Sequence, residues 1–122
     1  MGERILQFKY PGPEGTGFRV TTEGGRRSFT MCQTENVVST VQVLTPGDHN
    51  DLHSHGTEDG YWLVLAGRAT FYEEGDKVIA SLGAHEGLLI PAGTPYWFGS
   101  VGPEPLQILR VNYQVRTAVP SR

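Results

Sequence analysis

Residues 47–67 read Gly-Asp-His-Asn-Asp-Leu-His-Ser-His-Gly-Thr-Glu-Asp-Gly-Tyr-Trp-Leu-Val-Leu-Ala-Gly. The stretch runs from a polar segment holding three of the chain's four histidines into its longest uninterrupted apolar run, Tyr61–Gly67. On a strand, residues i and i+2 point to the same face with Cα atoms about 6.6–6.8 Å apart. His53 and His55 have that spacing, so their imidazoles can converge on one ion at metal–nitrogen distances of about 2.0–2.1 Å. A His-x-His pair is common by chance; its surroundings give it weight.

Working outward, strand-like segments recur at short spacing. Ile5–Lys9, Phe18–Thr22, Arg27–Gln33 and Asn36–Leu44 precede the histidines. Tyr61–Ala66, Ala69–Glu74, Val78–Leu82, Gly87–Ile90, Thr94–Phe98 and Leu106–Gln114 follow them. Turn formers such as Glu74-Gly75-Asp76 and Pro91-Ala92-Gly93 separate them. In Val37–Leu44, one alternation carries Val37, Ser39, Val41 and Val43 and the other Val38, Thr40, Gln42 and Leu44, so both faces are partly apolar. No stretch longer than about ten residues has a helical period free of Gly or Pro, and Ser81–Gly87 has room for a helical turn at most. The pattern predicts an all-β jelly-roll barrel.

A chain of 122 residues is about one domain's worth, so a single domain over 1–122 is expected. Ten basic residues stand against thirteen acidic ones, a net charge of −3, and only Arg26-Arg27 are adjacent. No phosphate-tracking stripe exists, and nucleic-acid binding is not expected. The lone Cys32 excludes an internal disulfide, fits a reducing compartment, and reads as a small packing residue. No signal-peptide core or apolar run of about 20 residues is present; the expectation is a cytoplasmic protein without membrane contact.

On these residues the chain resembles the cupin family. The first cupin motif is a glycine, five residues, His-x-His, three or four residues, Glu, six residues and Gly; Gly47, His53, His55 and Gly67 match it. The second contains Pro-x-Gly, matched by Pro91-Ala92-Gly93 within a plausible separation. The resemblance covers roughly residues 40–113, with residues 1–39 supplying N-terminal strands, and implies a small cupin-type double-stranded β-helix, often dimeric, with its site inside the barrel. Four positions depart from the pattern. Counted back from Gly67, the glutamate falls on Gly60. Tyr96 stands where the third histidine is expected, and Ser100 where the asparagine is. His85 takes the second motif's opening glycine.

The resemblance implies a divalent ion (Fe, Mn, Ni or Zn) held by His53 and His55, and no nucleotide cofactor. Two imidazoles need a third protein ligand. Glu58 shares strand parity with Gly60 and is preferred, with Asp59 as its substitute. Tyr96, Trp62 and Phe98 share the inward parity and are the expected lining of a pocket for a small organic molecule. His49 reads as a solvated loop residue and His85 as an exposed turn residue. Two functions stay open. One is a metal-dependent enzyme of dioxygenase, isomerase or lyase type; the other is a metal-free small-molecule-binding or sensing domain. Exposed strand edges in so small a sandwich need covering, so a homodimer is expected, with Ile5–Lys9 reaching across it.

Overall fold

The computed structural model describes residues 5–16, 20–23 and 26–115. In these the strands are β1 (Val20–Glu23), β2 (Arg26–Gln33), β3 (Val37–Leu44), β4 (Glu58–Ala66), β5 (Arg68–Glu73), β6 (Lys77–Leu82), β7 (Gly87–Ile90), β8 (Trp97–Val101) and β9 (Leu106–Gln114). Among the described residues there is no helix of a length and apolarity that crosses a membrane.

Two antiparallel sheets form, one ordered β1-β2-β3-β9-β4-β7 and the other β6-β5-β8. The histidine segment extends the smaller one. Gly47 N donates to Ser100 O (3.0 Å), Ser100 N to Asp48 O (2.8 Å) and Asn50 N to Phe98 O (3.1 Å). His53 and Tyr96 exchange a reciprocal pair at 3.1 and 2.9 Å. Residues 47–53 therefore run alongside β8 although few of them have regular strand geometry. The expected jelly-roll architecture is what forms.

Alternation builds the core. Trp62 and Val64 of β4, Phe71 of β5, Phe98 of β8 and Leu106 and Ile108 of β9 all face the space between the sheets. Phe71 and Phe98 stack with centroids 4.9 Å apart, and Trp62 lies 4.9 Å from Phe98. Aromatic burial of this kind carries a large share of the stabilisation. The opposite parity of β3 feeds a second cluster, Phe29, Met31, Val41 and Val43, on the outer face of the larger sheet. Tyr10 covers it, with its ring edge-on to Phe29 at 5.3 Å and its hydroxyl donating to Gln107 Oε1 at 2.7 Å. The Arg27 guanidinium ties the segment before β1 to β2 through the carbonyls of Pro13 and Gly15. Gly67 makes the β4–β5 turn at φ +83°, where an added Cβ would come 2.5 Å from Pro105 O. No other residue fits there.

Several expectations are corrected. Ile5–Lys9 is not a strand: it makes no ladder, and Ile5 is 98% exposed. Residues 18 and 19 of the Phe18–Thr22 segment lie outside the described residues. β4 starts three residues earlier than expected, at Glu58, and the strand placed at Thr94–Phe98 begins instead at Trp97. Residues 83–86 form a turn, not a helical one, with His85 exposed at φ 71°. Cys32 is half-buried beside a register shift in the β2–β3 ladder, its Sγ 3.3 Å from Ser39 Oγ.

Candidate functional site

One end of the core turns polar. Along β4, Glu58, Gly60, Trp62 and Val64 share the inward face; along β9, Leu106, Ile108, Arg110 and Asn112 do so. The register sets Trp62 opposite Arg110 and Gly60 opposite Asn112. Apolar side chains thus fill the middle of the barrel, while Glu58, Arg110 and Asn112 gather at its mouth. His53, His55 and Tyr96 close the mouth from the other sheet. The His53 ring lies 4.9 Å from that of His55 and 4.6 Å from that of Tyr96. The expected residues His53, His55, Glu58 and Tyr96 are therefore brought together. Asp59 points to the outer face, where its Oδ1 accepts from Ala92 N at 2.8 Å and fixes the turn before Tyr96.

Arg110 organises the charge. Its Nη2 lies 3.1 Å from His55 Nε2, and a guanidinium only donates, so His55 Nε2 is the acceptor and its proton sits on Nδ1. That Nδ1–H faces Glu58 Oε1 at 3.9 Å, and the same oxygen accepts from Asn112 Nδ2 at 2.6 Å. The guanidinium also lies over the Trp62 ring, 5.4 Å from its centroid. His53 Nδ1 is 2.7 Å from Asp51 O, which places a proton on Nδ1 and leaves the Nε2 lone pair free.

The titrations follow. Burial pushes the His55 pKa below its usual value, the Arg110 charge and the neighbouring His53 push it the same way, and Glu58 opposes them. His55 is a neutral imidazole at neutral pH. Burial drives the Tyr96 hydroxyl up to about 12. The Glu58 carboxylate adds to this, while Arg110 and the approaching Trp62 indole N–H oppose it. Tyr96 is a phenol, not a phenolate.

This donor set does not fit a divalent ion. The His55 lone pair that would bind the metal is taken by Arg110, Gly60 offers no carboxylate, and Tyr96 holds its proton. A dication on His55 Nε2 would lie within about 4 Å of the guanidinium, a repulsion of roughly 2 to 8 kcal/mol between a water-like dielectric and an effective one of about 20. Among the described residues no three His, Cys, Asp or Glu side chains converge as a metal cluster.

Of the expected pocket lining, Tyr96 borders a cavity of about 10 Å³ together with His55, Glu58, Gly60, Ile90, Pro91 and Thr94. Trp62 is buried behind it and turns its indole N–H toward Gly60: an added Cβ at Gly60 would come 3.3 Å from Trp62 Nε1. Phe98 sits deeper, fully buried among the core aromatics, and does not border the cavity. His49 stands apart and exposed, its ring against Trp97 at 5.6 Å. The sequence reading missed Arg110 and Asn112. The signal for them was present: strict alternation in Leu106-Gln-Ile-Leu-Arg-Val-Asn112 puts both on the face of Leu106 and Ile108.

The family model for the cupin domain matches residues 40–112, more than half of the chain, and the chain belongs to the cupin family. Three solved structures of similar fold stand beside it. KdgF from Halomonas sp. is 19% identical with a TM-score of 0.66, the match covering 76% of this chain and 84% of that one. A predicted oxalate decarboxylase from Thermotoga maritima is 20% identical with a TM-score of 0.68 and the same coverages, 76% and 84%. The cupin domain of an XRE-family transcriptional regulator from Enterobacter cloacae is 11% identical with a TM-score of 0.66, covering 76% of this chain and all of that domain, 100%. At these identities the likeness establishes the fold alone. No curated protein sequence is significantly similar to the chain.

Proposed function

We propose that this chain is a small-molecule-binding cupin domain whose central positive charge is Arg110 rather than a metal ion. The observation that carries the reading is the guanidinium at 3.1 Å from His55 Nε2. A fixed cation there supplies what the ion supplies elsewhere in the family, an anchor for an electron-rich group, without an open coordination site. The aromatic core behind Tyr96 fits a binding pocket of limited depth. The test is metal binding by protein prepared without a histidine tag. Expected are substoichiometric metal and no thermal shift with Mn²⁺, Fe²⁺, Ni²⁺ or Zn²⁺. Stoichiometric metal that disappears in His53→Ala would refute the reading.

A second reading, the metal-dependent enzyme, draws support from one feature. His53 presents a free Nε2 lone pair with Nδ1 anchored on a carbonyl, the hydrogen bond that orients the ring of a metal-ligating histidine. It requires Arg110 to leave His55, after which Glu58 would be the third ligand.

For the partner, we infer a second copy of the chain. Leu6 and Phe8 are about half exposed on an arm without a ladder, and Tyr61, Leu89 and Tyr113 form an exposed apolar patch on the outer face of β4, β7 and β9. Light scattering should give twice the chain mass, and Leu6→Asp/Phe8→Asp should shift it toward the monomer.

A further inference from the structure

The end of the barrel away from the histidines carries a second recess. The mouth lies at the start of β4 and the end of β9. At the opposite ends of these strands a cavity of about 330 Å³ opens between the β4–β5 turn, the β6–β7 turn and the β8–β9 loop. Leu65, Ala66, Val101 and Pro103 give it apolar walls, and the charged residues that line it are Arg68 and Glu104. Apolar walls with a few polar groups, at this volume, make up a small-molecule site.

The backbone around the recess is fixed. Gly67 turns at φ +83°, and its Cβ position lies 2.5 Å from Pro105 O, so the β4–β5 turn is seated directly on the β8–β9 loop. In that loop Glu104 stands between Pro103 and Pro105. The proline rings lock φ on either side of it, and a residue before proline is held extended. The cavity is therefore shaped without a ligand.

Its two charges are unspent. Gly83 leaves room for the Arg68 guanidinium, since a Cβ there would come 2.7 Å from Nη1. The neighbouring Glu86 carboxylate is engaged elsewhere, accepting from Gly83 N at 2.6 Å. Among the described residues the side chains of Arg68 and Glu104 form no ion pair or hydrogen bond, with each other or with a third group. Opposite charges thus line one recess without neutralising each other. A lone carboxylate would be drawn to Arg68 and repelled by Glu104, and a lone amine the reverse. A molecule that carries both charges on an apolar body satisfies both and covers the walls.

We propose that this recess binds a small zwitterion with an apolar side chain, an aliphatic α-amino acid of the size of leucine. Its carboxylate takes the Arg68 guanidinium, whose planar fork suits that group. Its ammonium faces Glu104, and its side chain lies against Leu65, Val101 and Pro103. The site stands apart from Arg110 and does not depend on how the barrel mouth is used.

Chemical-shift titration of the isotope-labelled full chain tests it, with L-leucine, isocaproate, isoamylamine and glycine as probes. Saturable shifts of the Gly67, Arg68, Ala84 and Glu104 amides are expected with leucine. The other three probes each lack one charge or the side chain and should bind at least tenfold more weakly. Arg68→Gln should weaken leucine at least tenfold and remove its advantage over isoamylamine; Glu104→Gln should do the same against isocaproate. Both residues are exposed, so both variants should keep cooperative unfolding. Leucine binding that survives both substitutions overturns the proposal. So does isocaproate or isoamylamine binding the native chain as well as leucine. Shifts that gather instead at Gly60 and Asn112, or no saturable shift with leucine, overturn it equally.

Discussion

Replacing Arg110 by glutamine should turn an indifferent site into a metal site. In the native chain the guanidinium takes the His55 Nε2 lone pair at 3.1 Å and repels any cation bound there. Two unit charges about 4 Å apart interact by roughly 1 kcal/mol in water and roughly 4 at an effective dielectric of about 20, so a dication feels about 2 to 8 kcal/mol. The His55 and Glu58 side chains are 32% and 29% exposed, and solvent screening argues for the lower end. About 2 kcal/mol corresponds to roughly a 30-fold gain in affinity. Arg110→Gln should therefore bind Zn²⁺ or Ni²⁺ at least about 30-fold more tightly than the native chain, through His53, His55 and Glu58. Thermal unfolding across a Zn²⁺ series reads this directly, because a ligand of the folded state raises the midpoint in proportion to ln(1 + [L]/Kd). Adding His55→Ala to the variant should remove the gain. Equal Zn²⁺ responses of the native chain and a folded Arg110→Gln variant would refute the electrostatic argument.

Acid should weaken the fold through His55. Its folded pKa lies below the unfolded value near 6.5, so the unfolded chain binds the proton more readily, and stability present above about pH 6.5 is lost as pH falls below it. Urea titrations at pH 7.5 and 5.5 should show that loss, and His55→Gln should lessen it. Tyr96 acts at the other extreme. With its folded pKa raised to about 12, its contribution is intact below about pH 10 and disappears as pH rises toward 12. Tyr96→Phe should flatten the alkaline limb of the stability curve, and an unchanged limb would place the phenol elsewhere. Phe98→Ala, which empties a fully buried place in the aromatic stack, should cost about 3–5 kcal/mol in urea unfolding. A loss under about 1 kcal/mol would mean that the core is not packed around it.

The fold was legible because its strands are short, β-rich and punctuated by turn residues, and because the parity of Val37–Leu44 and of Gly60, Trp62 and Val64 holds along each ladder. The failures have physical causes. Glu58-Asp59-Gly60 has the composition of a loop, yet it is strand because Glu58 finds Asn112 and Asp59 finds Ala92 N on either side of the ladder. Tertiary partners override weak β-propensity there. Ile5–Lys9 has the opposite problem, a strand-like pattern that finds no partner strand. At the site, two histidines and the parity of Glu58 could be read from spacing, whereas the neighbour that changes their chemistry, Arg110, is 55 residues from His55. Only the β4–β9 pairing brings it there. Local spacing says which side chains share a face, not which charge arrives from the facing strand.

The surroundings of Trp62 give the molecule an internal optical reporter. The chain has two tryptophans, and they occupy unlike environments. Trp62 is sealed in the core beneath the Arg110 guanidinium, against Phe71 and Phe98, with Tyr96 at 6.0 Å. Trp97 lies partly exposed on the outside, stacked on Tyr72 at 3.9 Å with its indole N–H on Asp76. Emission from Trp62 should accordingly be blue-shifted and respond to the nearest charge, while that from Trp97 should be sensitive to solvent. A Trp97→Phe variant isolates the inner chromophore, and its spectrum should then report changes around the Arg110 guanidinium without any added label.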